Sequence, residues 1–180
     1  MLARTPVTPN QVSVAAFLAA LGALALLAVG RNIEAGALIQ ISSVVDGVDG
    51  DLARAKGMAS RFGGVFDAVL DRYADAAIAG GMAWYALERE DAPGALVVGF
   101  GATVAFLLVS YSRARLEREG GMEAASALLG FASRDVRLLA LAVGAALGQA
   151  YWALLIVGAL SYATVAWRLW SFRRSQAIAP

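Results

Sequence analysis

Asp46-Gly47-Val48-Asp49-Gly50-Asp51-Leu52-Ala53-Arg54, then eight residues, then Gly63-Gly64-Val65-Phe66-Asp67-Ala68-Val69-Leu70-Asp71: these two stretches decide how the 180-residue chain is read. Both sit at the ends of apolar runs. On a helix turning about 100° per residue, Asp46 and Asp49 stand about 60° apart, and Gly50, Ala53 and Arg54 share their face. Gly63, Asp67 and Asp71 follow one another at i, i+4, a single stripe. The spacing therefore predicts two adjacent helices that present two carboxylates each. Four carboxylates facing one another repel unless cations lie between them.

The surroundings make those acids more telling. Hydrophobic residues make up 59% of the chain and the mean hydropathy is +0.65, above the range of water-soluble domains of this length. Apolar runs near 11–30, 33–54, 61–88, 93–116, 133–148 and 150–172 predict an all-α integral membrane bundle of six transmembrane helices, built as a single domain over 1–180. Thr8-Pro9-Asn10 supplies start signals for the first helix. Asp91-Ala92-Pro93-Gly94 breaks the third helix from the fourth. Gly148 and Gln149 separate the fifth from the sixth, and Gly120-Gly121 opens the longest polar loop. No signal-peptide pattern precedes the first run, which is expected to be retained as a helix.

With both termini on the cytoplasmic side, twelve of the fifteen basic residues, from Arg4 to Arg174, fall on that side. Only Arg31 and Arg89 fall outside, and Arg72 lies within the third helix. This obeys the positive-inside rule. A carboxylate inside a membrane helix costs several kcal/mol unless it is paired or lines a polar cavity. Yet six of the fourteen acids lie between residues 46 and 75. Asp51 points away from the Asp46/Asp49 face, and Asp75 continues the third-helix stripe, where it could support Arg72.

Composition removes other chemistries. The chain has no cysteine and no histidine, so disulfides, thiolate sites, a cysteine nucleophile and the commonest general base are excluded. Metal chemistry here must use oxygen ligands, which suits Mg²⁺, Mn²⁺ or Ca²⁺. A net charge of +1 gives no field that argues for nucleic acid. Small residues at Gly50, Ala53 and Gly63 leave clearance beside the acids, and Arg54 offers a donor fork suited to phosphate. Together they form a site for a pyrophosphate.

The segment from Asp46 to Asp71 resembles the signature of the CDP-alcohol phosphotransferases (CDP-alcohol phosphatidyltransferases): D-x-x-D-G-x-x-A-R, eight residues, G-x-x-x-D-x-x-x-D. All eight fixed positions are present. The resemblance implies that Asp46, Asp49, Asp67 and Asp71 hold two ions of Mg²⁺ or Mn²⁺, with Asp71 also the general base. It implies that Gly50, Ala53, Arg54, Ser60 and Gly63 line the CDP site. It further implies a homodimer in contact with membrane lipids, its active site open to the cytoplasm. The reaction would transfer a phospho-alcohol from a CDP-alcohol donor to an acceptor hydroxyl with release of CMP.

Arg113, Arg115, Arg134 and Arg137, between the fourth and fifth helices, suggest an acceptor that carries its own phosphate. They also satisfy the positive-inside rule and could meet lipid headgroups. Ile39-Gln40-Ile41-Ser42-Ser43 and Ser133-Arg134-Asp135 are similar to the transferase domain of di-myo-inositol phosphate phosphate synthases, which join CDP-inositol to inositol 1-phosphate. The 180 residues leave no room for the cytidylyltransferase domain found in some such proteins, so CDP-inositol is expected from a separate protein. The alternative is a phosphatidyl- or archaetidylinositol phosphate synthase using a CDP-linked lipid. An aspartate-rich prenyltransferase lacks its second motif here. A cation transporter, the non-enzyme alternative, does not explain Gly50, Ala53 and Arg54 on the acidic face.

Overall fold

The computed structural model describes residues 6–120 and 133–178, all helical apart from short connections. Six helices form in the predicted places: α1 (Pro9–Ala28), α2 (Asn32–Ala55), α3 (Arg61–Arg89), α4 (Ala95–Arg118), α5 (Arg134–Ala146) and α6 (Ala150–Ile178). There is no strand among the described residues. Arg4 and Gly121, used in the sequence reading, lie outside them.

Local chemistry sets the helix ends. Thr8 and Gln11 close a reciprocal capping box on α1, with Pro9 in its first turn. Ser60 accepts a hydrogen bond from the Gly63 amide at 3.0 Å to start α3, and Ser133 caps α5 through Val136. Gly148 adopts φ +66° between α5 and α6, a left-handed turn that ends one helix and lets the next begin.

The helices close into a ring in the order α1, α2, α5, α6, α4, α3 and back to α1, with α3 also touching α6 across the middle. Each of the six ring contacts contains a glycine. Gly22 meets Leu38, Gly36 meets Ala142, Gly144 meets Ala153, Gly158 meets Ala102, Gly99 meets Ala83 and Gly81 meets Leu24. Small residues let backbones approach closely where lipid outside the bundle offers no hydrophobic drive to associate. Leu27, Ile39, Ile78, Met82, Leu138, Leu141 and Leu154 fill the interior.

The ring order corrects one expectation. α2 and α3 do not pack tightly on each other; each packs on α1. The carboxylate helices are therefore splayed around a cleft floored by α1. Direct contact would press like charges together. Three helices are long and apolar enough to cross a membrane: Pro9–Ala28, Ala95–Arg118 and Ala150–Ala177. The other three carry the charges of the site or, for α5, span only 13 residues.

Gly99 and Gly101 separate close packing from helix propensity. A Cβ at Gly99 would clash with Ala83, whereas one at Gly101 meets nothing within 4 Å. Gly99→Ala is expected to cost about 2 kcal/mol through overpacking. Gly101→Ala should be neutral or stabilising by up to about 1 kcal/mol, since alanine favours helix. Thermal unfolding in detergent reads both signs.

Candidate active site

The helix ends that carry polar side chains gather at one end of the ring. There the C-terminal part of α2 and the N-terminal half of α3 bring three predicted acids together. One carboxylate oxygen from each of Asp46, Asp49 and Asp67 lies within 4.8 Å of the other two. Asp49 is buried, and Ser13 of α1 donates to its Oδ2 at 2.5 Å. One oxygen of Asp67 is buried without a hydrogen-bond donor. Among the described residues neither Asp49 nor Asp67 has a basic partner within ion-pair distance. An all-oxygen donor set with two uncompensated carboxylates fits a hard divalent cation.

Asp71, one turn beyond Asp67, faces the arginines. Its Oδ1 is 3.0 Å from Arg134 and its Oδ2 is 3.4 Å from Arg72. Arg134 also reaches Asp46 at 2.5 Å and Asp75 at 3.1 Å. Asp75 is 5% exposed and lies 3.5 Å from Arg72 and 3.7 Å from Arg137. Arg72 in turn donates to Ser110 of α4. Asp46, Asp71 and Asp75 are thus matched by Arg72, Arg134 and Arg137, a buried network in which each charge has an opposite partner.

Two clefts flank this network. The first, about 570 Å³ of empty space, is lined by Asn10, Ser13, Asp49, Gly50, Ala53, Arg54, Ser60, Gly63 and Asp67 among others. Every residue expected to line a CDP site is here. Gly63 sits close to Asn10 and Ser60, so a side chain would narrow the cleft. Arg54 is 73% exposed and pairs with Asp51 at 2.5 Å, leaving its guanidinium at the rim. The second cleft, about 960 Å³, is lined by Asp71, Arg72, Ser110, Arg113, Arg134, Arg137 and Arg168.

Of the four arginines singled out from the sequence, Arg113, Arg134 and Arg137 line the second cleft. Arg115 does not; it pairs with Glu119 at 3.1 Å on an exposed part of α4. Arg137 lies over the Phe106 ring, 5.1 Å from its centroid. Arg168 went unnoticed as a site residue. It is 2% exposed and donates to the Val109 carbonyl at 2.6 Å and to Ser112 at 3.3 Å. A lone arginine in the apolar run of α6 was the available signal. Ser13, the one hydroxyl of α1, was a fainter one.

Hydrogen bonds to a ligating carboxylate fix its orientation, and their loss typically lowers metal affinity about 10–100-fold. Ser13→Ala is therefore expected to weaken Mn²⁺ binding about tenfold without unfolding the protein. Isothermal titration checks it, and an unchanged affinity would detach Ser13 from the acidic centre.

Comparison with known proteins extends the local pattern to the whole chain. The model of the CDP-alcohol phosphatidyltransferase family matches residues 6–172. The bifunctional IPC transferase and DIPP synthase of Rubrobacter xylanophilus is 49% identical over 96% of this chain, which spans only 38% of that protein's length. The archaetidylinositol phosphate synthase of Pyrococcus horikoshii is 32% identical, over 96% of this chain and 87% of its own. The crystal structure of the Mycobacterium tuberculosis phosphatidylinositol phosphate synthase in complex with manganese and citrate superposes with a TM-score of 0.78 at 28% identity, covering 93% of this chain and 83% of that one. The same enzyme with CDP-DAG bound gives 0.77 at 27% identity, over 93% and 87%. A match that begins before α1 and ends within α6 takes in the whole helical ring as well as the aspartate motif, and on it this chain belongs to the CDP-alcohol phosphatidyltransferase family.

Proposed function

We propose that the chain moves a phospho-alcohol from a CDP-alcohol onto the hydroxyl of a phosphorylated polyol, releasing CMP, with CDP-inositol and inositol 1-phosphate as substrates. One observation carries the reading. A glycine-lined acidic cleft and an arginine-lined cleft meet at neighbouring turns of α3, Asp67 lining the first and Asp71 the second. A nucleotide diphosphate suits the first and a phosphate monoester the second.

In this reading Asp46, Asp49, Asp67 and Asp71 hold two ions of Mg²⁺ or Mn²⁺, which supply charge neutralisation of the diphosphate and stabilise the leaving CMP. Gly50, Ala53, Ser60 and Gly63 let the donor's phosphates lie against the backbone, and Arg54 closes the rim. Arg113 and Arg137, with Arg168 behind them, orient the acceptor through its phosphate. Asp71, at the junction, takes the proton of the acceptor hydroxyl as that oxygen bonds to the phosphorus distal to cytidine. The bond from this phosphorus to the CMP oxygen breaks, and the pair of electrons leaves with CMP. No covalent intermediate is needed. Membership of the family sets aside the transporter reading.

The all-helical ring, with three helices apolar enough to span, supports a membrane protein. We read all six helices as crossing, the chain as one domain over 1–180, and the clefts and both termini as cytoplasmic. The support is that the arginines of the second cleft and Arg173 and Arg174 lie toward the same end. The homodimer implied by the resemblance is retained in this reading.

A lipid donor is the second reading. An apolar groove between α3 and α4, lined by Ala68, Leu107, Leu108 and Tyr111, adjoins Arg72 and Ser110 at the second cleft. Such a groove would suit a hydrocarbon tail. The identity of 49% to the Rubrobacter protein, against 32% to the Pyrococcus enzyme, favours the soluble donor.

CMP release by purified protein with Mg²⁺ or Mn²⁺ tests both readings, using inositol 1-phosphate against CDP-inositol or a CDP-linked lipid. Release with CDP-inositol is expected. Release only with the lipid would transfer the chain to phospholipid synthesis, and silence with both would refute the assigned acceptor. In the same assay Asp71→Asn should retain CDP binding and lose at least about 100-fold in turnover, the scale of a lost general base. Lost CDP binding with an intact fold would contradict that role.

A further inference from the structure

We propose that Arg134 is an exchangeable counter-ion, a positioning residue that gives up Asp46 and Asp71 when divalent cations bind and turns to the acceptor's phosphate. The proposal rests on the reading of the acidic centre and the basic cleft given above. It assigns Arg134 a role that the arginine cluster as a phosphate site does not contain.

The charges define the problem. Asp46, Asp71 and Asp75 are balanced by Arg72, Arg134 and Arg137, while Asp49 and Asp67 have no basic partner among the described residues. One divalent cation between Asp49 and Asp67 completes the balance without disturbing an arginine. Any further engagement of Asp46 or Asp71 by a cation meets Arg134, whose Nη1 holds them at 2.5 and 3.0 Å. Two positive groups drawn to the same carboxylates in a partly buried site repel.

Arg134 has somewhere to go. Its Nε is bonded to Asp75 at 3.1 Å, and Asp75, 5% exposed, is set back from the cluster of Asp46, Asp49 and Asp67. The guanidinium is one rigid plane, so its Nη end leaves Asp46 and Asp71 by turning about the Nε–Asp75 bond toward the second cleft, which Arg134 already lines. Three of the residues that line it, Arg72, Arg137 and Arg168, each keep one guanidinium nitrogen without a hydrogen-bond partner. A phosphate in that cleft would place an anion beside these guanidinium groups and draw Arg134 off the aspartates. Metal and phosphate then favour the same position of one side chain. By linkage each strengthens the binding of the other.

The test is Mn²⁺ binding, followed by electron paramagnetic resonance on detergent-purified protein without nucleotide, with and without sulfate. Sulfate is a phosphate-shaped dianion that leaves Mn²⁺ in solution. Arg134→Gln is expected to bind Mn²⁺ about tenfold more tightly than wild type, a loss of competition equal to about 1.4 kcal/mol. Sulfate should tighten Mn²⁺ binding in the wild type and do so much less in the variant. Because removing a buried charge can unfold a protein, Arg134→Lys provides a second variant. It keeps the charge but lacks the fork that spans three carboxylates, and should fall between the two. Mn²⁺ affinity unchanged or weaker in both variants, with wild-type binding intact, overturns the proposal alone. Absent Mn²⁺ binding by the wild type overturns the acidic centre and the proposal together.

Discussion

Five carboxylates in the interior of an apolar helical ring are the constraint on which the rest of the structure depends. Asp46, Asp49, Asp67, Asp71 and Asp75 occupy one end of the bundle, and a buried charge is tolerated only when paired, hydrogen-bonded or bound to metal. The protein answers with long-range partners. Arg134 of α5 bridges three of the acids, Arg72 of α3 and Arg137 of α5 complete the pairing, and Ser13 of α1 fixes Asp49. The two acids left over, Asp49 and Asp67, lie with Asp46 in a group that could hold a metal ion.

Packing turns this electrostatic requirement into a shape. A glycine in each ring contact brings the helices close enough to hold one another through backbone and small side chains. That economy frees the larger polar residues to face inward at the end where α2 and α3 splay. α1 lies behind both, so the cleft between them has a floor and an open mouth. The basic cleft forms where α3, α4, α5 and α6 converge. The acidic and basic clefts then meet along successive turns of α3, with Asp67 and Asp71 one turn apart.

Much of this was legible in the chain. Periodic spacing revealed the stripe Gly63, Asp67, Asp71 and the face of Asp46, Asp49, Gly50, Ala53 and Arg54, because a helix fixes which residues share a side. Helix ends at Thr8 and Gly148 followed from local capping and turn chemistry, whereas the caps at Ser60 and Ser133 emerge only from the structure. The ring order did not, since it depends on which glycine meets which neighbour. Nor did the assignment of arginines: Arg134 meets Asp46 across 88 residues and Ser13 meets Asp49 across 36. Arg113, Arg115, Arg134 and Arg137 looked equivalent in sequence. Only packing separates Arg115, on the outer part of α4 with Glu119, from Arg134, enclosed by acids.

The most direct test of the acidic centre is anomalous diffraction at the manganese edge from crystals grown with Mn²⁺ and CDP. The account predicts anomalous density between α2 and α3, within coordination distance of Asp46, Asp49 and Asp67. The CDP phosphates should lie beside it against Gly50 and Gly63. Anomalous density confined to other parts of the surface, with Asp49 and Asp67 uncoordinated in the presence of nucleotide, would contradict it.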